Sequence, residues 1–88
     1  MATKMFIQYK VADFKKWKAI YDGMGATRKQ FGSTGDQVFV NPQNPNEVLI
    51  ITEWGNKEQA MKYRQAPELK KAMESAGIMS APETSFTE

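Results

Sequence analysis

Residues 47–54 read EVLIITEW, and this stretch decides the fold. β-branched and aromatic residues dominate it, which is the composition of a strand. Successive strand side chains point to opposite faces, so Val48, Ile50, Thr52 and Trp54 share one face while Leu49, Ile51 and Glu53 share the other. Both faces are largely apolar. A sheet with one wet face alternates apolar with polar residues, so this strand asks for cover on both sides. A chain of 88 residues holds helix enough for one side only. So short a chain hides only about 60–65% of the surface its unfolded form exposes. The second face is therefore expected to be buried by another copy of the chain.

Working toward the C-terminus, Asn56 is placed to cap a helix, with Gln59 at the reciprocal position of a capping box. Pro67 suits the first turn of a further short helix running through Met73 and ending at Gly77. The segment IMSAPETSFTE, from Ile78 on, reads as a fourth strand. Working toward the N-terminus, NPQNPN is a hairpin loop of about four to six residues. Pro42 and Pro45 cannot donate to a ladder and are expected to stop the strands there. QVFV before it is a strand, and FGSTGD before that stops a helix. That helix opens at Asp13, whose carboxylate can accept from the free amides of the first turn. The opening KMFIQY, with Met5, Ile7 and Tyr9 alternating, is a strand from about residue 3 to 9. The order is β-α-β-β-α-β: an α+β, ferredoxin-like fold, a four-stranded antiparallel sheet with helices on one face. Residues 1–88 are expected to form a single domain.

Composition removes many functions. There is no cysteine and no histidine, which excludes disulfides, thiolate nucleophiles, Cys/His metal sites, serine–histidine triads and imidazole ligation of haem. No metal or cofactor is expected. Twelve basic and ten acidic residues give a net charge of +2, with lysines scattered among acids, so nucleic acid is not expected as a partner. No apolar run approaches the roughly 18 residues of a membrane span. The N-terminal MATKMFIQYK lacks a signal peptide's apolar core, which makes the cytoplasm the expected compartment.

Three stretches carry a resemblance to a known family. They are Asp13-Phe14-x-x-Trp17-Lys18 at the start of the first helix, Glu53-Trp54 at the end of the third strand, and Pro67-Glu68-Leu69-Lys70-x-Ala72-Met73 ahead of Ala76-Gly77-Ile78. From about Phe6 to Phe86 the chain resembles the small dimeric α/β-barrel proteins grouped with the antibiotic biosynthesis monooxygenases. The resemblance implies homodimers paired through the sheet face and a cavity between sheet and helices. Activities in that group include cofactor-independent oxygenation of polycyclic aromatic molecules and oxidative haem degradation. In the haem-degrading branch a tryptophan would fall at Tyr63 and the ligating histidine at Met73. Neither is present, and neither phenol nor thioether replaces a proximal imidazole. Where the protein is an enzyme, the resemblance implies a cofactor-independent monooxygenase acting on a small aromatic substrate. The alternative is a non-catalytic small-molecule-binding or stress-response dimer.

The candidate site begins with an arginine in an unexpected place. Phe14, Trp17, Tyr21, Met24 and Phe31 recur as the buried stripe of a helix. On an unbroken helix Arg28 lies within roughly 30° of that stripe's centre. Gly23 and Gly25 are the weak point, and a kink there would change where Arg28 points. A guanidinium stays charged in apolar surroundings and needs a carboxylate, carbonyls or an anionic ligand. Glu53 or a small aromatic or anionic ligand could meet it. Trp17, Tyr21, Trp54 and Tyr63 combine aromatic surface with polar handles, so these four with Arg28 form the candidate binding set, Arg28 and Tyr63 the candidate catalytic pair. The competing reading makes the same aromatics simply the core. Glu53, on an apolar strand, is a candidate base or an ion-pair partner. Asp13 reads as a cap and Lys15, Lys16 and Lys18 as a solvated helix face. Met24, Met61 and Met73 read as adaptable filling rather than metal ligands.

Overall fold

The structure, a computed structural model, describes residues 2–80 and 82–87. Eight elements follow one another: β1 (Thr3–Lys10), α1 (Phe14–Gly23), α2 (Gly25–Gln30), β2 (Ser33–Asn41), β3 (Asn44–Trp54), α3 (Lys57–Arg64), α4 (Pro67–Ser75) and β4 (Glu83–Thr87). All neighbouring strands are antiparallel and the sheet order is β2-β3-β1-β4. This is the α+β ferredoxin-like arrangement expected from the element order. No helix among the described residues is long and apolar enough to cross a membrane. Ala81 and Glu88, which the fourth-strand reading included, lie outside the described residues.

The sequence signals act locally as expected. Asp13 Oδ1 accepts from the amides of Lys15 and Lys16 at 3.0 and 3.3 Å. Asn56 and Gln59 exchange bonds as a capping box, 2.9 Å in one direction and 3.3 Å in the other. Pro67 opens α4, and Gly77 at φ 71 follows its C-cap.

Three local expectations are corrected. The long first helix breaks at Met24 (φ −88, ψ 1), giving α1 and α2. β2 begins at Ser33 and absorbs the glycine-containing stretch read as a helix stop, because pairing with β3 through a bulge between Ser33 and Gly35 outweighs poor strand propensity. The hairpin loop shrinks to Pro42 and Gln43, with Asn41 Oδ1 accepting from the Gln43 amide at 2.9 Å. Pro45 accordingly lies inside β3. It is tolerated because Asn41 faces Asn44 while Val40 faces Val48, so the register slips there and leaves Pro45 without a ladder partner.

One sheet face is the core. Tyr9, Val48 and Ile50 pack with Trp17 and Ala76, while Met5 and Trp54 pack with Ala60 and Tyr63. The other face carries Phe6, Phe39, Leu49 and Ile51, brought together by the registers Phe39–Leu49 and Ile51–Phe6. Phe39 there is 48% exposed, and among the described residues no helix joins these four side chains.

Candidate functional site

The break at Met24 does not carry Arg28 out to solvent; the short α2 turns it inward, where it is 5% exposed. Its guanidinium carbon lies 3.8 Å from the centre of the Tyr21 ring, a cation–π stack. Arg28 Nη1 donates to the Tyr21 carbonyl oxygen at 3.0 Å. Gly25 faces the same guanidinium, and a Cβ there would stand 3.7 Å from Nη2.

The carboxylate that meets Arg28 is Asp36, not Glu53. Arg28 Nη2 stands 3.9 Å from Asp36 Oδ2, and the same oxygen accepts from the Tyr21 hydroxyl at 2.6 Å. The reason is strand parity. Asp36 pairs with Thr52 and so shares the helix-covered face, whereas Glu53 pairs with Gly35 and Lys4 on the other. Glu53 accepts from Thr34 Oγ1 at 3.2 Å and takes no part in the interior. At 3.9 Å the Asp36 contact is an ion pair without a direct hydrogen bond, and Asp36 is 41% exposed in its side chain. Most of the guanidinium's donors are thus left for Tyr63 and for whatever enters beside them.

A cavity of about 100 Å³ lies between the sheet and the helices, with Tyr9, Tyr21, Arg28 and Tyr63 on one part of its wall. Met5, Ile7, Ile50, Leu69 and Met73 supply the apolar part, and Thr52 and Thr84 bring hydroxyls up from the sheet. A recess of about 30 Å³ adjoins it, where Trp17 and Ile20 face Tyr9 and Tyr21. Two arginines line the main cavity and, among the described residues, no carboxylate does. Its polar wall is therefore rich in donors.

The phenols are held protonated. Burial pushes Tyr9 up to about 12, against the opposing effect of the Trp17 indole N–H that donates to its oxygen at 2.8 Å. Burial also raises Tyr21, and its bond to the Asp36 carboxylate raises it further. Tyr63 is raised by burial, while Arg28 beside it works in the opposite direction.

Of the residues singled out from sequence, Tyr21, Arg28 and Tyr63 meet on the cavity wall and Trp17 lines the recess. Trp54 does not reach the wall. It is fully buried, its indole N–H donates to Thr52 Oγ1 at 2.8 Å, and its ring lies 5.1 Å from that of Tyr63 at a tilt of 37°. Trp54 fixes two wall residues instead of forming the wall. Sequence reasoning missed Tyr9, Thr52 and Thr84. The alternation that joined Met5, Ile7 and Tyr9 on one strand face was the signal for the first, and that of Ile50, Thr52 and Trp54 for the second.

The family model for antibiotic biosynthesis monooxygenases matches residues 8–75. A Bordetella bronchiseptica protein provisionally called an antibiotic biosynthesis monooxygenase superposes with a TM-score of 0.86 at 11% identity, over 99% of this chain and 95% of that one. SnoaB, a cofactor-independent oxygenase from Streptomyces nogalater, superposes with a TM-score of 0.80 at 11% identity, over 99% of this chain and 91% of that one. Rv0793 from Mycobacterium tuberculosis gives 0.77 at 9% identity, over 100% and 94% of the two chains. Identities this low speak for a shared fold and for nothing finer. No protein of curated function matches the sequence. Fold and family model agree, and the chain belongs to the antibiotic biosynthesis monooxygenase family.

Proposed function

We propose that the protein works as a homodimer, a single domain per chain, in which each cavity binds a small phenolic molecule as its anion and oxygenates it without a cofactor. The observation that carries this reading is Arg28: a buried guanidinium stacked on Tyr21, with donors to spare, on the wall of a cavity that no carboxylate among the described residues lines. A phenolate oxygen beside Arg28 and the Tyr63 hydroxyl would find a guanidinium that Asp36 offsets only from 3.9 Å, and a neutral donor, in a water-poor, apolar setting where both interactions are strong. Kinship with a family that includes a cofactor-independent oxygenase supports the chemistry.

The reaction needs only dioxygen as second substrate. The bound phenolate gives one electron to dioxygen, and the resulting radical and superoxide combine to form a carbon–oxygen bond at an activated ring carbon. The peroxide O–O bond then breaks, that carbon loses its hydrogen as a proton, and the departing oxygen leaves as water. Phenol and dioxygen thus become quinone and water. In this scheme Arg28 stabilises charge on the substrate and on the reduced oxygen, Tyr63 fixes the phenolate oxygen, and Tyr21 holds the guanidinium in place. A binding protein without catalysis is the second reading. It is favoured by one fact, that among the described residues no group able to take the phenol's proton directly lines the cavity.

The test uses 4-nitrophenol, whose anion is coloured, followed by phenol under ¹⁸O-labelled dioxygen. Wild type should bind 4-nitrophenol saturably and raise its ionised fraction at fixed pH, and Arg28→Leu should lose both effects while keeping its circular dichroism. Label in the product of phenol establishes oxygenation, and binding without label establishes the second reading. Equal binding and ionisation in Arg28→Leu would remove Arg28 from the site.

A further inference from the structure

The cavity's other end carries a second cation that the phenol reading leaves unused. Of the residues lining it, Arg64 and Pro82 are exposed and the rest are buried or half-buried. The mouth therefore lies where the end of α3 meets the approach to β4. Arg64 sits in the last turn of α3, one residue beyond Tyr63, and among the described residues it forms no ion pair. Thr84, on β4 opposite Ile7, also lines the cavity. Its Oγ1 is a buried oxygen with no hydrogen-bond partner among the described residues. Native proteins rarely leave such a group unsatisfied, and a ligand atom is one way to satisfy it.

Size narrows the occupant further. A dry cavity of about 150 Å³ in another protein takes up benzene. The cavity here, about 100 Å³ with a recess of about 30 Å³ beside it, is smaller than that, so it has room for one ring at most and none for two fused rings, and any second substituent on that ring projects toward the mouth.

Resting on the proposed phenol site, we infer that the ligand is a single-ring phenol carrying a carboxylate on the far side of the ring, with Arg64 and Thr84 as the residues that select it. Arg28 and Tyr63 hold the phenolate oxygen at the inner end. The Arg64 guanidinium and the Thr84 hydroxyl receive the carboxylate at the mouth, donors to an acceptor-only group. Arg64, which pairs with no carboxylate among the described residues, also draws a charged ligand from solution better than a neutral one.

Calorimetric titration of 4-hydroxybenzoate against 4-hydroxybenzyl alcohol tests this, since the two differ only in the group that would face Arg64. Wild type should prefer the acid by roughly tenfold at low salt, the size of effect expected of a charge-assisted contact. Arg64→Gln should erase the preference while leaving the affinity for the alcohol unchanged, which also shows that the variant is folded. Thr84→Val should weaken the acid a few-fold and spare the alcohol. Equal binding of acid and alcohol in wild type, or a preference that survives Arg64→Gln, would overturn the inference and leave the phenol site standing. Failure of both compounds to bind wild type would overturn inference and phenol site together. Tight binding of 6-hydroxy-2-naphthoate would overturn the one-ring limit.

Discussion

Arg28 shows how one side chain can be buried and still underused. Its charge is offset by a half-exposed aspartate at 3.9 Å and by the π-face of Tyr21 at 3.8 Å, neither of which saturates its hydrogen-bonding fork. Asp36 does its firmest work through the Tyr21 hydroxyl at 2.6 Å. Asp36→Asn should therefore cost about 1 kcal/mol in urea denaturation and let Tyr21 ionise at lower pH in an ultraviolet titration. Unchanged stability and titration would show that the contact is incidental. The tyrosines also set an alkaline limit. The folded state holds the Tyr9 proton more tightly than the unfolded chain, so that contribution is complete below pH 10 and is lost as the pH rises through about 12. The rise from 10.0 to about 12 corresponds to roughly 2–3 kcal/mol from Tyr9 alone, and Tyr21 and Tyr63 act in the same direction. Denaturation midpoints compared at pH 8 and pH 11 should fall at the higher pH, and Tyr9→Phe should lessen the drop. A midpoint independent of pH over that range would contradict it.

At the scale of elements, the junction between α2 and β2 depends on Gly32. Its φ of 107 lies in the left-handed region, and a Cβ there would stand 2.6 Å from the Gln59 side chain. Gln59 is also the residue whose oxygen accepts from Asn56 in the cap of α3. Gly32→Ala should thus strain the turn and disturb the cap together, costing about 2–3 kcal/mol. Gln59→Ala added to it should cost less than the two changes measured separately, which denaturation of the four proteins will show. Additive costs would mean that the two positions do not communicate. Helix starts and stops were legible in the sequence because they are one-residue chemistry: Asp13, Asn56 with Gln59, Pro67, Gly77. The two faces of β3 were legible because alternation is local too. The start of β2 was not, since Ser33–Gly35 join the sheet only through their pairing with β3. The same dependence hid Asp36. Which carboxylate shares a face with Arg28 follows from the register of β2 on β3, a tertiary fact, and Glu53 looked equally eligible until that register was known.

At the scale of the whole molecule, the outer sheet face remains to be accounted for. Phe6, Leu49, Ile51 and the 48%-exposed Phe39 form an apolar patch that no helix among the described residues covers, and the proposed homodimer buries it. Ile51→Lys should yield a monomer in sedimentation velocity at micromolar concentration, where wild type sediments as a dimer; a monomeric wild type would refute the pairing. Because Arg28 lies on the opposite side of the sheet from this patch, dimer formation and ligand capture should be separable by mutation. A phenolate held against Arg28 in each chain will be visible in a native mass spectrum recorded with 4-nitrophenol. The prediction is a wild-type dimer carrying two ligand masses beside an Arg28→Leu dimer carrying none. Equal ligand mass on both dimers, or none on either, would contradict it.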